Sequence, residues 1–146
     1  MGDVAAELDR DLAMLENAEQ DGCYAFRTWT AARVTVVVGR AVKIDDEVRV
    51  GFCQTHDIDI VRRPSGGRSV LIGPGTLQYT FALPYSLAAE LSSIGGAKRF
   101  CNELLLEGLA CGRALEHDAS GDLVFEGRKV AGLALRRKRN AMLLHG

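Results

Sequence analysis

The chain has no excess of either charge. Its 18 Lys and Arg against 19 Asp and Glu leave a net charge of −1, so no global field draws it onto nucleic acid or an anionic membrane, and any charge-based recognition has to be local. It also lacks a CxxC pair. The four cysteines, Cys23, Cys53, Cys101 and Cys111, are widely spaced, which argues against a zinc knuckle or a thioredoxin-type redox motif and leaves them as reduced, structural thiols. His56 and His117 stand apart from any metal-like spacing and read as surface or loop residues, so no metal ligand is assigned. No apolar run approaches the roughly 18 residues needed to cross a bilayer. The opening residues carry acids (Asp3, Glu7, Asp9, Asp11) where a leader would be basic. A cytoplasmic location, with neither membrane nor nucleic acid as partner, is the expectation. No repeat, low-complexity tract or linker interrupts the 146 residues, and 47% hydrophobic content suffices for a core, so one compact domain over 1–146 is expected.

Periodicity supplies the elements. Val4, Leu8, Leu12 and Leu15 fall on one helical face, with acids and Arg10 elsewhere, predicting an amphipathic helix from Val4 to about Gln20 that Gly22 stops. Cys23 to Trp29 and Val34 to Val38 read as strands. Asp45 and Asp46 are candidate caps of a short helix running toward Gln54, and Ile58 to Val61 is a further strand. Arg62-Arg63-Pro64-Ser65-Gly66-Gly67-Arg68 breaks all periodicity and is a loop. Ser69 to Ile72 and Thr76 to Leu83 flank Gly73-Pro74-Gly75, a turn by composition, which implies a hairpin. Ala97 to Gly112 carries Phe100, Leu104, Leu105 and Leu109 at helical spacing. Asp122 to Phe125, Lys129 to Leu135 and Ala141 to Leu144 then read as successive strands, the first two joined by a turn at Glu126-Gly127. The sum is an α+β fold, helices on a mixed, mainly antiparallel sheet in one layer pair.

Two segments carry chemistry. The loop after the Ile58 strand joins arginines to a Gly-Gly pair. Glycines let backbone N–H groups approach a carboxylate or phosphate, and guanidinium groups add forked, permanently charged donors. Further on, Glu126-Gly127-Arg128-Lys129-Val130-Ala131-Gly132 puts an ammonium just past a hairpin turn, where it can neutralise charge that develops as an acyl carboxylate meets a nucleotide phosphate. Alone, the first is more often a tight connection and the second a solvated hairpin lysine. Arg136-Arg137-Lys138-Arg139 reads as a solvated turn, with a dock for an acidic carrier domain or a phosphate as the alternative.

Taken in order, these segments resemble the lipoate–protein ligase A-like branch of the biotin/lipoate A/B protein ligase superfamily (BPL/LPL catalytic domain). The stretches that carry the likeness are Phe26-Arg27-Thr28-Trp29 with Val34 to Arg40; Ile60 to Gly67; Gly73 to Thr80; and Gly127 to Gly132 with His145-Gly146 downstream. The resemblance implies a class II biotin/lipoyl synthetase-like fold whose mixed sheet encloses a tunnel for a medium-length acyl chain. It implies that lipoate or octanoate and ATP with Mg form an acyl-adenylate, passed to a lysine of a lipoyl carrier domain, either the glycine cleavage H protein or a 2-oxoacid dehydrogenase E2. Carried over by position, Lys129 is the catalytic lysine. Arg62, Ser65, Gly66, Gly67, Tyr79 and Gly132 hold or shape the acyl substrate, and Arg63, Arg68 and Asp122 face the nucleotide.

The sequence departs from the family pattern at Arg68, where a third glycine or small residue is expected, at Ile72, where a histidine is usual, and at Gly121, which replaces an asparagine before Asp122. Family domains continue past the His-Gly pair with a further strand and helices. The chain therefore reads as a C-terminally shortened domain, for which homo-oligomerisation or other partner association, a complementing C-terminal subunit, or a degraded gene copy would each account. Two other readings stay open: a non-catalytic accessory subunit of the same fold, and an ATP-independent octanoyltransferase, which needs an acyl-accepting thiol. Cys111, eighteen positions before Lys129 and at the end of an apolar helix, reads more readily as core.

Overall fold

The computed structural model describes residues 3–108 and 115–146. Helix α1, Val4–Asp21, starts where the Asp3 side chain accepts a hydrogen bond from the Ala5 N–H and ends where Gly22 turns left-handed at φ 68°. Its buried face carries Val4, Leu8, Leu15 and Ala18 as expected, but also Glu7 and Asp11. The acids do not all lie on the solvent side, because a partner for them arrives from a neighbouring strand.

That strand is β1, Ala25–Thr30, the edge of an antiparallel sheet ordered β1-β5-β10-β9, where β5 is Leu77–Pro84, β9 is Ala134–Arg137 and β10 is Ala141–His145. Side chains alternate across it. Ala82, Ala141 and Leu143 meet α1 at Leu15 and Ala18. Tyr79, Phe81, Leu83, Met142 and Leu144 face the other way, onto Leu91, Ala97, Cys101 and Leu105. Ala97, Cys101 and Leu105 belong to helix α4, Ile94–Gly108. The sheet is therefore covered on both faces, three layers instead of the single layer pair expected. Helix α4 begins three residues earlier than expected, and the Ser93 hydroxyl accepts from the Gly96 N–H there. Its expected end, with Leu109 and Cys111, lies outside the described residues.

A smaller sheet is ordered β3-β2-β4: β2, Thr35–Val38, pairs in parallel with β3, Asp59–Arg62, and antiparallel with β4, Val70–Ile72. Two short helices, α2 (Ile44–Glu47) and α3 (Val50–Thr55), make the crossover between β2 and β3. Asp45 and Asp46 sit inside the first turn of α2, and the cap position belongs to Lys43. A last sheet joins β6 (Glu116–His117), β7 (Leu123–Phe125) and β8 (Arg128–Ala131). Its β7-β8 turn has positive φ at both Glu126 and Gly127, the twist a tight hairpin needs.

Two expected connections come out differently. Gly73-Pro74-Gly75 does not close a hairpin: β4 pairs with β2, whereas β5 pairs with β1 and β10, so the turn carries the chain from one sheet to another. Lys129 to Leu135 is likewise two strands, broken at Gly132-Leu133, with β8 on β7 and β9 on β10. Both breaks open space between sheets.

Candidate functional site

The space is a cavity of about 780 Å³ between the sheets. Its apolar wall includes Leu8, Trp29, Val37 and Ile72, and its polar lining includes Gly67, Arg68, Asp122 and Lys129. The Gly-rich loop and the lysine hairpin, 62 residues apart from Gly67 to Lys129, thus line one cavity. Tyr79 and Gly132 line it as well; Arg62, Ser65 and Gly66 do not.

The loop is built by its own arginines. Arg62 donates through Nη1 to the carbonyls of Gly39, Arg40 and Val42 at 2.7, 3.1 and 2.9 Å, fastening the β2–α2 turn instead of facing the cavity. Arg63 reaches back into the loop, donating to Val37 O, Gly66 O, Arg68 O and Ser65 Oγ. Burial pushes the Arg63 guanidinium pKa down, partly offset by the Glu47 charge. A guanidinium so surrounded by carbonyls acts as the loop's internal scaffold. Beneath it, Gly39 has no room for a side chain, since a Cβ would stand 1.8 Å from the Gly67 carbonyl oxygen.

Arg68 does not block the cavity. Its side chain is 87% exposed at the rim, where Nε meets Glu47 Oε1 at 3.0 Å while Glu47 Oε2 accepts from the Ser69 N–H at 2.7 Å. Ile72, at the histidine position of the family pattern, packs with Val4, Leu8, Ala31 and Val37 as apolar wall.

At the lysine hairpin, Lys129 Nζ lies 2.5 Å from Asp122 Oδ2, and Asp122 Oδ1 accepts from the Leu133 N–H at 3.0 Å. Burial alone would raise the Asp122 carboxyl, but the Lys129 and Leu133 hydrogen bonds outweigh it and hold the group below the usual carboxylate range. Gly132 makes the pairing possible: a Cβ there would come within 2.8 Å of both Lys129 Cε and Nζ. The Tyr79 hydroxyl and Trp29 Nε1 are buried with no hydrogen-bond partner among the described residues. Burial pushes the Tyr79 phenol well above its ordinary value, with Cys101 and Asp122 adding to the shift, so it stays a hydrogen-bond donor. Lys98 also reaches this cavity, its Nζ donating to Ser120 O at 2.5 Å.

A second polar group was not foreseen from the sequence. Asp11, fully buried, accepts from Arg27 Nη1 at 2.7 Å and Thr80 Oγ1 at 2.9 Å, and lies 3.3 Å from His145 Nδ1; His145 Nε2 is 2.5 Å from Ser65 Oγ. Glu7 pairs with Arg27 as well. The available signal was an acid at position 11 between Leu8 and Leu15, on the helix face that has to be buried.

The sequence profile of the lipoyl protein ligase A/B catalytic domain matches residues 3–146. The chain belongs to this family. Among curated relatives, the octanoyltransferase LipM of Staphylococcus epidermidis is 29% identical over 92% of this chain and 56% of its own length. The chain thus spans about half the length of the curated relatives it matches. Among solved structures, lipoate-protein ligase A bound with ATP superposes with a TM-score of 0.86 at 20% identity, covering 99% of this chain and 61% of that one. A bipartite lipoate protein ligase of Thermoplasma acidophilum, solved in a study with its E2 lipoyl domain, gives 0.74 at 20% identity over 94% of this chain and 55% of that one. At such identities the structures establish the shared fold. Among the described residues no helix is long and apolar enough to cross a membrane.

Proposed function

We propose that this chain is the acid-activating part of a lipoate–protein ligase, joining lipoate or octanoate to ATP as an acyl-adenylate and delivering the acyl group to a lysine of a lipoyl carrier domain, the H protein or E2 type. The observation that carries the reading is one cavity lined both by the apolar side chains of Leu8, Trp29, Val37 and Ile72 and by the cations Lys129 and Arg68. An amphipathic acid fits only one way round in such a space, its tail on the apolar wall and its carboxylate by the cations.

Forming the anhydride requires a carboxylate and an α-phosphate, both anionic, to be held in line. Lys129 is placed to screen that repulsion, and Asp122 restrains the ammonium until a ligand oxygen replaces it. The Tyr79 phenol can donate to a ligand oxygen. Mg would enter with the nucleotide, and Asp122 is a carboxylate that could hold it there, since magnesium is held by few carboxylates and mostly by phosphate and water. No protein nucleophile is needed.

The test is the intact mass of a lipoyl carrier domain after incubation with octanoate or lipoate, MgATP and the chain. The expected result is an acyl-sized gain that disappears with Lys129→Ala, accompanied by pyrophosphate release. A gain unaffected by that substitution, or none, removes the reading.

A second reading, ATP-independent octanoyl transfer through a thiol, is favoured by the LipM relative. It needs a reactive cysteine. Burial pushes Cys101 up to about 12, Cys53 is buried in α3 and Cys23 is exposed before β1; Cys111, the remaining candidate, lies outside the described residues. Transfer from an octanoyl thioester without ATP, lost in Cys111→Ser, would establish it.

A further inference from the structure

The buried chain of polar groups that runs from α1 to the Gly-rich loop has a single consistent direction. Asp11 accepts at one oxygen from Arg27 and at the other from Thr80, and its carboxylate can take only a donor from His145 Nδ1, 3.3 Å away. On the far side Arg63 Nε donates to Ser65 Oγ at 3.1 Å, so the Ser65 hydrogen is free for His145 Nε2 at 2.5 Å. Donation then runs one way, Arg63 to Ser65 to His145 to Asp11, with Ser65 and His145 each giving and receiving, which satisfies the tautomer that Asp11 selects. The order of groups is that of a serine nucleophile with its base and orienting carboxylate, but Ser65 is 1% exposed, does not line the cavity, and has its oxygen engaged on both sides. A hydroxyl sealed in this way meets no substrate.

We propose that Asp11, His145 and Ser65 form a positioning relay that fastens the Gly-rich loop to β10 and α1, and so sets the place of Gly67 and Arg68 at the carboxylate end of the cavity. The relay ties three elements far apart in sequence, 134 residues between Asp11 and His145 and 80 between His145 and Ser65. The other ties of the loop lead elsewhere: Arg63 donates to Val37 O at 3.2 Å on β2 as well as to carbonyls of its own loop, the Arg40 N–H donates to Ser65 O at 2.9 Å, and the Gly66 N–H reaches Leu135 O of β9 only at 3.5 Å, so it is the relay that joins the loop to β10 and α1. Asp11 and His145 themselves form part of the cavity wall, so a shift in the relay moves the wall and the loop together. This rests on the acyl-acid reading of the cavity.

The two amide replacements of His145 separate the relay from simple packing. Gln places an amide near the Nε2 position and can keep the Ser65 contact, whereas Asn places one near Nδ1 and loses it. In the full chain, amide hydrogen exchange across residues 63–68 and the calorimetric Kd for octanoate are read for Ser65→Ala, His145→Asn, His145→Gln and the Ser65→Ala/His145→Asn double variant. Expected are exchange faster by about tenfold and octanoate binding weaker by about tenfold in Ser65→Ala and His145→Asn, less than about threefold changes in His145→Gln, and a double variant no worse than either single. Equal damage from both amides, or an additive double variant, overturns the relay. Loss of acyl transfer in Ser65→Ala with octanoate binding intact overturns it too, because Ser65 would then react. If the loop responds as expected while the unaltered chain takes up no octanoate, the relay holds and the acyl-acid reading alone fails.

Discussion

Gly132→Ala separates the fold from the chemistry at the lysine hairpin. A Cβ at this position stands 2.8 Å from Lys129 Cε and Nζ, the far end of a flexible side chain, and Gly132 has no left-handed φ, so the backbone stays and the ammonium swings away. The stability cost is small. The lost ion pair has one partner 57% exposed, which after solvent screening is worth about 0.5 kcal/mol; restricting the unfolded chain returns about 0.4–1 kcal/mol. Urea denaturation should therefore move by less than about 1 kcal/mol. On the proposed function the chemistry fares worse, because a charge-assisted contact from Lys129 to the reacting oxygens would contribute about 1.5–3 kcal/mol, or about 10- to 150-fold in kcat/KM. Steady-state acyl transfer to a lipoyl domain, run beside Lys129→Ala, reads this directly. Activity within twofold of the unaltered chain while Lys129→Ala is inactive would refute the claim that Gly132 exists to make room for the ammonium, as would a loss of stability above about 2 kcal/mol.

Asp11→Ala leaves Arg27 half-paired and His145 without its acceptor in a buried setting, and should destabilise the chain by about 3 kcal/mol in urea melts; a shift under about 1 kcal/mol would mean water compensates. Asp122 is held below its unfolded-state value. Its stabilising contribution is therefore complete above the ordinary carboxylate value of about 4 and lost as pH falls through the depressed folded value. Acid titration of Asp122→Asn should show a shallower loss of stability below about pH 4 than the unaltered chain. Iodoacetamide labelling followed by peptide mass spectrometry should modify exposed Cys23 and leave Cys101 untouched in the native protein, since burial raises that thiol to about 12; labelling of Cys101 at the same rate would show that its surroundings open.

The residues alone were enough to place α1, β1 to β3, the Glu126-Gly127 turn and Lys129 at the mouth of its strand, because each depends on periodicity, a φ-permissive residue or a cap within a few positions. The family likeness rested on short motifs of the same local kind. Which strands pair was not legible: Gly73-Pro74-Gly75 has the composition of a hairpin turn whether its flanking strands join each other or separate sheets, and the outcome is set by partners elsewhere in the chain. The roles of Ser65 and Arg62 were undecidable for the same reason, since a loop hydroxyl or guanidinium is read as facing a ligand until the groups that occupy it are known. Only the tertiary structure brings His145 to Asp11 and both to the loop. A buried charge is tolerated where its partners are, and those partners lie on other elements, at separations over which hydrophobic periodicity carries no information.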